Sequence, residues 1–79
     1  MPPEVNKLLV DIQSALADIH EFTLGYDLLK YRQDAKCKAA VERKFEIVGE
    51  ACGRIRDDFP SDFEKIVTIL LKKKKEEMQ

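Results

Sequence analysis

Apolar residues recur at steps of three and four along most of this chain, which is the period of an amphipathic helix. Val5, Leu8, Leu9, Ile12, Ala15, Leu16, Ile19 and Phe22 form one continuous face, predicting a first helix from about Glu4 to Phe22. Pro2 and Pro3 suit its start, because the first helical turn does not use their missing N–H groups. Thr23-Leu24-Gly25 predicts its end, Gly25 taking the left-handed conformation that stops a helix. Tyr26 to Tyr31 reads as a short helical turn with Leu28 and Leu29 packing inward, and Tyr26 and Tyr31 as half-buried tyrosines.

The longest helix runs from about Asp34, a predicted N-cap, to Asp58. Its apolar stripe is Cys37, Val41, Phe45, Val48, Cys52 and Ile55, widened by Ala40, Ile47 and Ala51. Phe59-Pro60 stops it, since the residue before a proline avoids the helical region. Ser61-Asp62-Phe63-Glu64 has the form of a capping box opening a third helix. Phe63, Ile66, Val67 and Leu70 make the apolar side of that helix, with Ile69 and Leu71 at its edges. Lys72 to Lys75 read as a solvated, fraying tail. Together these elements predict an all-α, up-and-down antiparallel bundle of three main helices.

The central helix also carries a charged stripe. Arg43, Glu46, Glu50 and Arg54 stand on adjoining turns; Arg43 with Glu46 and Glu50 with Arg54 are favourable pairs, and Glu46 with Glu50 is a like-charge pair. Gly49 and Gly53 sit inside the same helix, where each costs about 1 kcal/mol relative to Ala. Their spacing of four makes a shallow notch, and the expectation is a close helix crossing at Gly49. Arg43, Glu46, Gly49, Glu50, Gly53 and Arg54 are therefore the candidate interaction surface.

The segment Ala40-Val41-Glu42-Arg43, followed by Phe45-Glu46-Ile47-Val48-Gly49-Glu50-Ala51, resembles the signature of HepT-like proteins of the HEPN superfamily. Gln33-Asp34-Ala35 and the helix from Asp11-Ile12 to Phe22-Thr23 are similar to that family's N-terminal half. The resemblance covers roughly residues 8 to 67 and implies the helical bundle of the nucleotidyltransferase substrate-binding-subunit type. It also implies a homodimer, a nucleotidyltransferase antitoxin as partner, and endoribonuclease activity on RNA. The family's signature is an Arg with a His four to six residues later, following a segment like Phe63-Glu64-Lys65-Ile66-Val67. Such a pair moves a proton near neutral pH and holds a phosphate at the scissile bond. Here that segment runs into Thr68-Ile69-Leu70-Leu71-Lys72, and the only His, His20, has no Arg before it. No catalytic residue carries over. The expectation is a single HepT-like domain over residues 1–79, truncated before the nuclease motif. Three readings stand open: a subunit of a toxin–antitoxin pair, a non-catalytic dimerisation or binding module, and a non-functional remnant.

Composition narrows the remaining classes. Seventy-nine residues make one domain at most, and a chain this short buries only about 60% of its unfolded surface. Charged residues are 37% of the chain, with a net charge of −1, so no global attraction to nucleic acid or membrane is expected. No apolar run approaches the length of a bilayer span, and the default compartment is the cytoplasm. Cys37 and Cys52 lie about 22 Å apart along one helix, too far to pair. Both read as small core residues. His20 reads as a solvated surface side chain. No metal site, cofactor or acid–base pair is expected.

Overall fold

The structure is a computed structural model that describes residues 1–77, so Met78 and Gln79 of the expected domain lie outside the described residues. Four helices follow one another: α1 (Pro3–Phe22), α2 (Leu28–Gln33), α3 (Ala35–Asp58) and α4 (Pro60–Glu77). The chain is an all-α helical bundle, as the periodicity predicts.

The pairing of α1 with α3 holds it together. The beginning of α1 lies beside the end of α3, where Asp11 adjoins Arg54. The end of α1 lies beside the beginning of α3, where Ile19 adjoins Val41 and Phe45. The two helices are therefore antiparallel. All the buried side chains among the described residues sit on them: Val5 and Ala15 from α1, and Cys37, Val41, Ala51 and Ile55 from α3. Most are small, so the backbones approach closely along the seam.

Three local devices set the corners. Gly25 has φ +76°, the left-handed conformation expected of it, and it ends the turn after α1. Asp34 caps α3 by accepting a 2.9 Å bond from the Cys37 N–H. Its other oxygen accepts a 2.6 Å bond from the Tyr26 hydroxyl, which fastens the turn before α2 to the start of α3. The Cys37 thiol donates to the Phe22 carbonyl at 3.5 Å, linking α1 to the same corner. The Lys30 ammonium lies 4.5 Å over the Tyr26 ring.

Several expectations change. Leu28 and Leu29 do not pack inward: they are 68% and 64% exposed, because α2 is a single short helix with no layer outside it. Cys37 is buried as expected, but Cys52 is exposed. Phe45, on the same stripe, is 54% exposed. The stripe is wider than the contact with α1, so its outer edge faces open space. Gly49 is not at a close crossing, since a Cβ built there would meet nothing within 4 Å. Ser61 does not cap α4. Pro60 takes the first helical position, and the Phe59 carbonyl already accepts from the Phe63 N–H at 2.9 Å. The lysine run is exposed, as expected of a solvated tail, and α4 continues through it to Glu77, with Lys74 and Lys75 in its last turn where the macrodipole favours cations.

α4 has no buried residue. Phe63, Ile66 and Val67 are half-buried near its start, and every residue from Thr68 to Glu77 is exposed. The protein is consequently flat, with Cα extents of 41 × 33 × 16 Å and a radius of gyration of 15.0 Å. A compact chain of this length has a radius near 11.6 Å, on the order of three-quarters of that.

Ile55→Ala should cost about 2–5 kcal/mol in urea unfolding, because it opens the α1–α3 seam. Leu29→Ala should stay within about 0.5 kcal/mol. The Tyr26–Asp34 bond makes a separate prediction about pH. It holds the Asp34 carboxyl below its ordinary value of 3.8, with help from the Cys37 N–H. The same bond, with desolvation and the Asp34 charge, pushes the Tyr26 hydroxyl up to about 12. Asp34 therefore stabilises the fold above its ordinary value and loses that contribution as pH falls below it. Tyr26 contributes fully below pH 10 and loses its contribution as pH rises towards about 12. Melting curves of Tyr26→Phe should lie below those of the native chain between these limits and converge with them at the alkaline end.

Candidate interaction surface

The α1–α3 pair has two broad sides, and they differ in chemistry. On one side, Glu4, Lys7, Leu8 and Asp11 of α1 and Arg54, Asp58 and Phe59 line a cleft of about 300 Å³. A smaller depression of about 110 Å³ continues from it, bounded by Asp11, Ile47, Glu50 and Arg54 among others. Further along the same side, the Lys44 ammonium lies 2.9 Å from the Asp18 carboxylate, both half-buried. This side is charged, with acidic and basic groups interleaved.

The opposite side is apolar. Ile19, Thr23, Leu28, Tyr31, Val41 and Phe45 border an open groove of about 450 Å³, walled at one end by α2. Positions seven apart share a helix face. Leu16 therefore stands on the Thr23 side of α1, and Leu9 before it. By the same step Cys52 stands on the Phe45 side of α3, with Gly49 between them. Leu16 is 47% exposed, and Cys52 and Gly49 are exposed as well.

The six residues of the candidate surface do not form one patch. Glu50 and Arg54 border the charged cleft and adjoin α1. Gly49 lies on the apolar side, with Gly53 beyond it, where an added Cβ would come within 3.9 Å of the Arg56 guanidinium. Arg43 and Glu46 are exposed on the back of α3, away from α1. Neither Arg43 with Glu46 nor Glu50 with Arg54 closes to an ion pair among the described residues. The pairs that do close are Lys44 with Asp18 and Arg56 with Asp57, each at 2.9 Å. The second of these joins neighbouring residues; it lowers the Asp57 carboxyl and raises the Arg56 guanidinium. His20 is exposed, as expected. Among the described residues no group of three or more His, Cys, Asp or Glu side chains is placed to hold a metal ion. No described helix is long and apolar enough to cross a membrane.

The family model for "Ribonuclease HepT-like" proteins matches residues 12–77. The chain belongs to the HepT-like family. The match passes beyond Val67, where the resemblance read from the sequence alone ends, and takes in the whole of α4. A protein of Methanocaldococcus jannaschii named "Putative RNase MJ0127" is 30% identical over 63 residues, covering 80% of this chain and 52% of that protein. The chain thus spans about half the length of this relative. No solved structure matches it.

Among the described residues, Lys44 and Asp18 are the one ion pair that crosses the seam. Removing either should cost roughly 0.2–1 kcal/mol, and a double-mutant cycle with Lys44→Ala and Asp18→Ala should recover a coupling energy of that size that shrinks with added salt.

Proposed function

We propose that this chain is the HepT-like subunit of a toxin–antitoxin-type pair and serves as a helical dimerisation and binding module for a nucleotidyltransferase. It acts without ribonuclease catalysis of its own residues. The observation that carries the second part is in the sequence: the only His is His20, and the first Arg, Arg32, comes after it. His20 stands exposed on α1.

The observation behind the binding role is the surface the fold leaves open. The chain exposes 6462 Å². A compact monomer of 9.1 kDa exposes about 4,900 Å². The excess of about 1,600 Å² is twice the roughly 800 Å² that each partner contributes to a standard interface. Leu16, Phe45, Ile69, Leu70 and Leu71 are among the side chains left in water. An open surface of this extent with large apolar side chains in it supports a binding role. The reading is a homodimer formed mainly through α1 and α3, which leaves the charged cleft around Arg54 free for the nucleotidyltransferase.

Light scattering should give a mass about twice the 9.1 kDa of one chain at micromolar concentration. The purified protein should not cleave RNA. Cleavage that co-purifies with the native chain and disappears with His20→Ala would overturn the non-catalytic part. On co-expression, a minimal nucleotidyltransferase from the same genome should co-purify with this chain, and Arg54→Glu should weaken that complex while leaving the dimer mass unchanged.

A further inference from the structure

Resting on the homodimer reading above, we infer that the two copies meet through an antiparallel crossing of their α3 helices centred at Gly49, closed at both ends by Glu42 of one copy and Arg56 of the other. The exposed stripe of α3 is short and graded. It has a large side chain at one end, Phe45, the open backbone of Gly49 in the middle, and the small Cys52 at the other end. No atom lies within 4 Å of the place a Gly49 Cβ would occupy, so another backbone has room to approach there. An isologous interface must pack this stripe against itself. A parallel crossing would set Phe45 on Phe45 and leave a gap between the two Gly49 positions. An antiparallel crossing sets Phe45 of each copy on Cys52 of the other, large on small at both ends, as close packing requires.

Charge supports the same register. The antiparallel register that opposes residue 45 to residue 52 also opposes 42 to about 55 or 56. Glu42 and Arg56 lie on the same flank of α3 as Gly49, forty degrees or less to either side by the helical period, on the order of one residue's width. Both side chains are exposed. Both lie close to the contact line through Gly49, so in an antiparallel pair each Arg56 comes opposite the second copy's Glu42. Arg56 already bonds the adjacent Asp57 carboxylate at 2.9 Å. Its guanidinium has further donors for a second carboxylate. The pair occurs twice in the dimer because the symmetry repeats it. The stripe continues onto α1 through Leu16 and Leu9, which lie on the same apolar side and extend the contact.

The test uses the full chain. Sedimentation equilibrium is run on the native protein and on Glu42→Arg, Arg56→Glu and the double variant. Each single reversal should raise the dimer Kd about tenfold, since it sets two like-charge pairs at the interface. The double variant should return close to the native value. Gly49→Leu should raise the helix content of the dilute monomer and abolish the dimer. A bismaleimide of about 10 Å should join the two exposed Cys52 thiols into a covalent dimer, the spacing expected for residues 3.5 positions from an antiparallel centre. A native chain that is monomeric at all concentrations would overturn both the homodimer and this crossing. A native dimer that tolerates both single reversals and Gly49→Leu, and is not joined through Cys52, would leave the homodimer standing and overturn the crossing.

Discussion

Among the described residues, full burial is confined to one seam. Val5, Ala15, Cys37, Val41, Ala51 and Ile55 all lie where α1 meets α3, and α2 and α4 contribute no buried side chain. A folded domain ordinarily has two packed layers around its core. With a Cα thickness of 16 Å, this one has a single layer of helices. Among the described residues, large apolar side chains outside the seam, Leu16, Phe45 and Leu70 among them, are left exposed. The stability of the protomer depends on a narrow set of small side chains, and the remaining apolar surface is available for association.

The family and the chemistry of this chain pull in different directions. Residues 12–77 match the HepT-like ribonucleases, so the helical scaffold is theirs. In this sequence the lone His, His20, precedes every Arg, the reverse of the order in the family's Arg-to-His signature. A fold supports many activities, and an activity resides in the side chains placed on it. What this scaffold does present is a charged side with a cleft and an apolar side with a groove.

Periodicity made the helices and their order legible, because spacing of three and four depends only on the chain. It also identified Val41 and Ile55 as core. The same stripe included Phe45 and Cys52, which are exposed, because periodicity shows which residues share a face and not how wide a strip of that face a neighbour covers. Within the protomer Gly49 was misleading for a related reason: a glycine permits close approach, and whether another helix of the same chain approaches is decided elsewhere in the structure. Asp34 was readable as a cap, since capping is local, whereas its bond to Tyr26 eight residues earlier needed the turn at Gly25 to bring the two together. The candidate surface suffered most. One helix can be read as a stripe, but Lys44 finds Asp18, and Arg54 adjoins Asp11, only through the antiparallel register of α1 on α3, and nothing in either segment alone specifies that register.

The junction between α3 and α4 consists of one non-helical residue, Phe59, at φ −135° and ψ 57°. Its N–H bonds the Ile55 carbonyl and its carbonyl accepts from Phe63, both at 2.9 Å, so the corner is hydrogen-bonded on both sides. Beyond it α4 extends as a rigid rod of about 27 Å with little to brace its far half. A rod hinged at one residue is a lever. The lysines stand about 18–23 Å along the rod, so each degree of rotation about the Phe59 dihedrals carries them through an arc of about 0.3–0.4 Å, and a ten-degree change moves them by about 3–4 Å. The position of four positive charges is thereby written in two backbone angles.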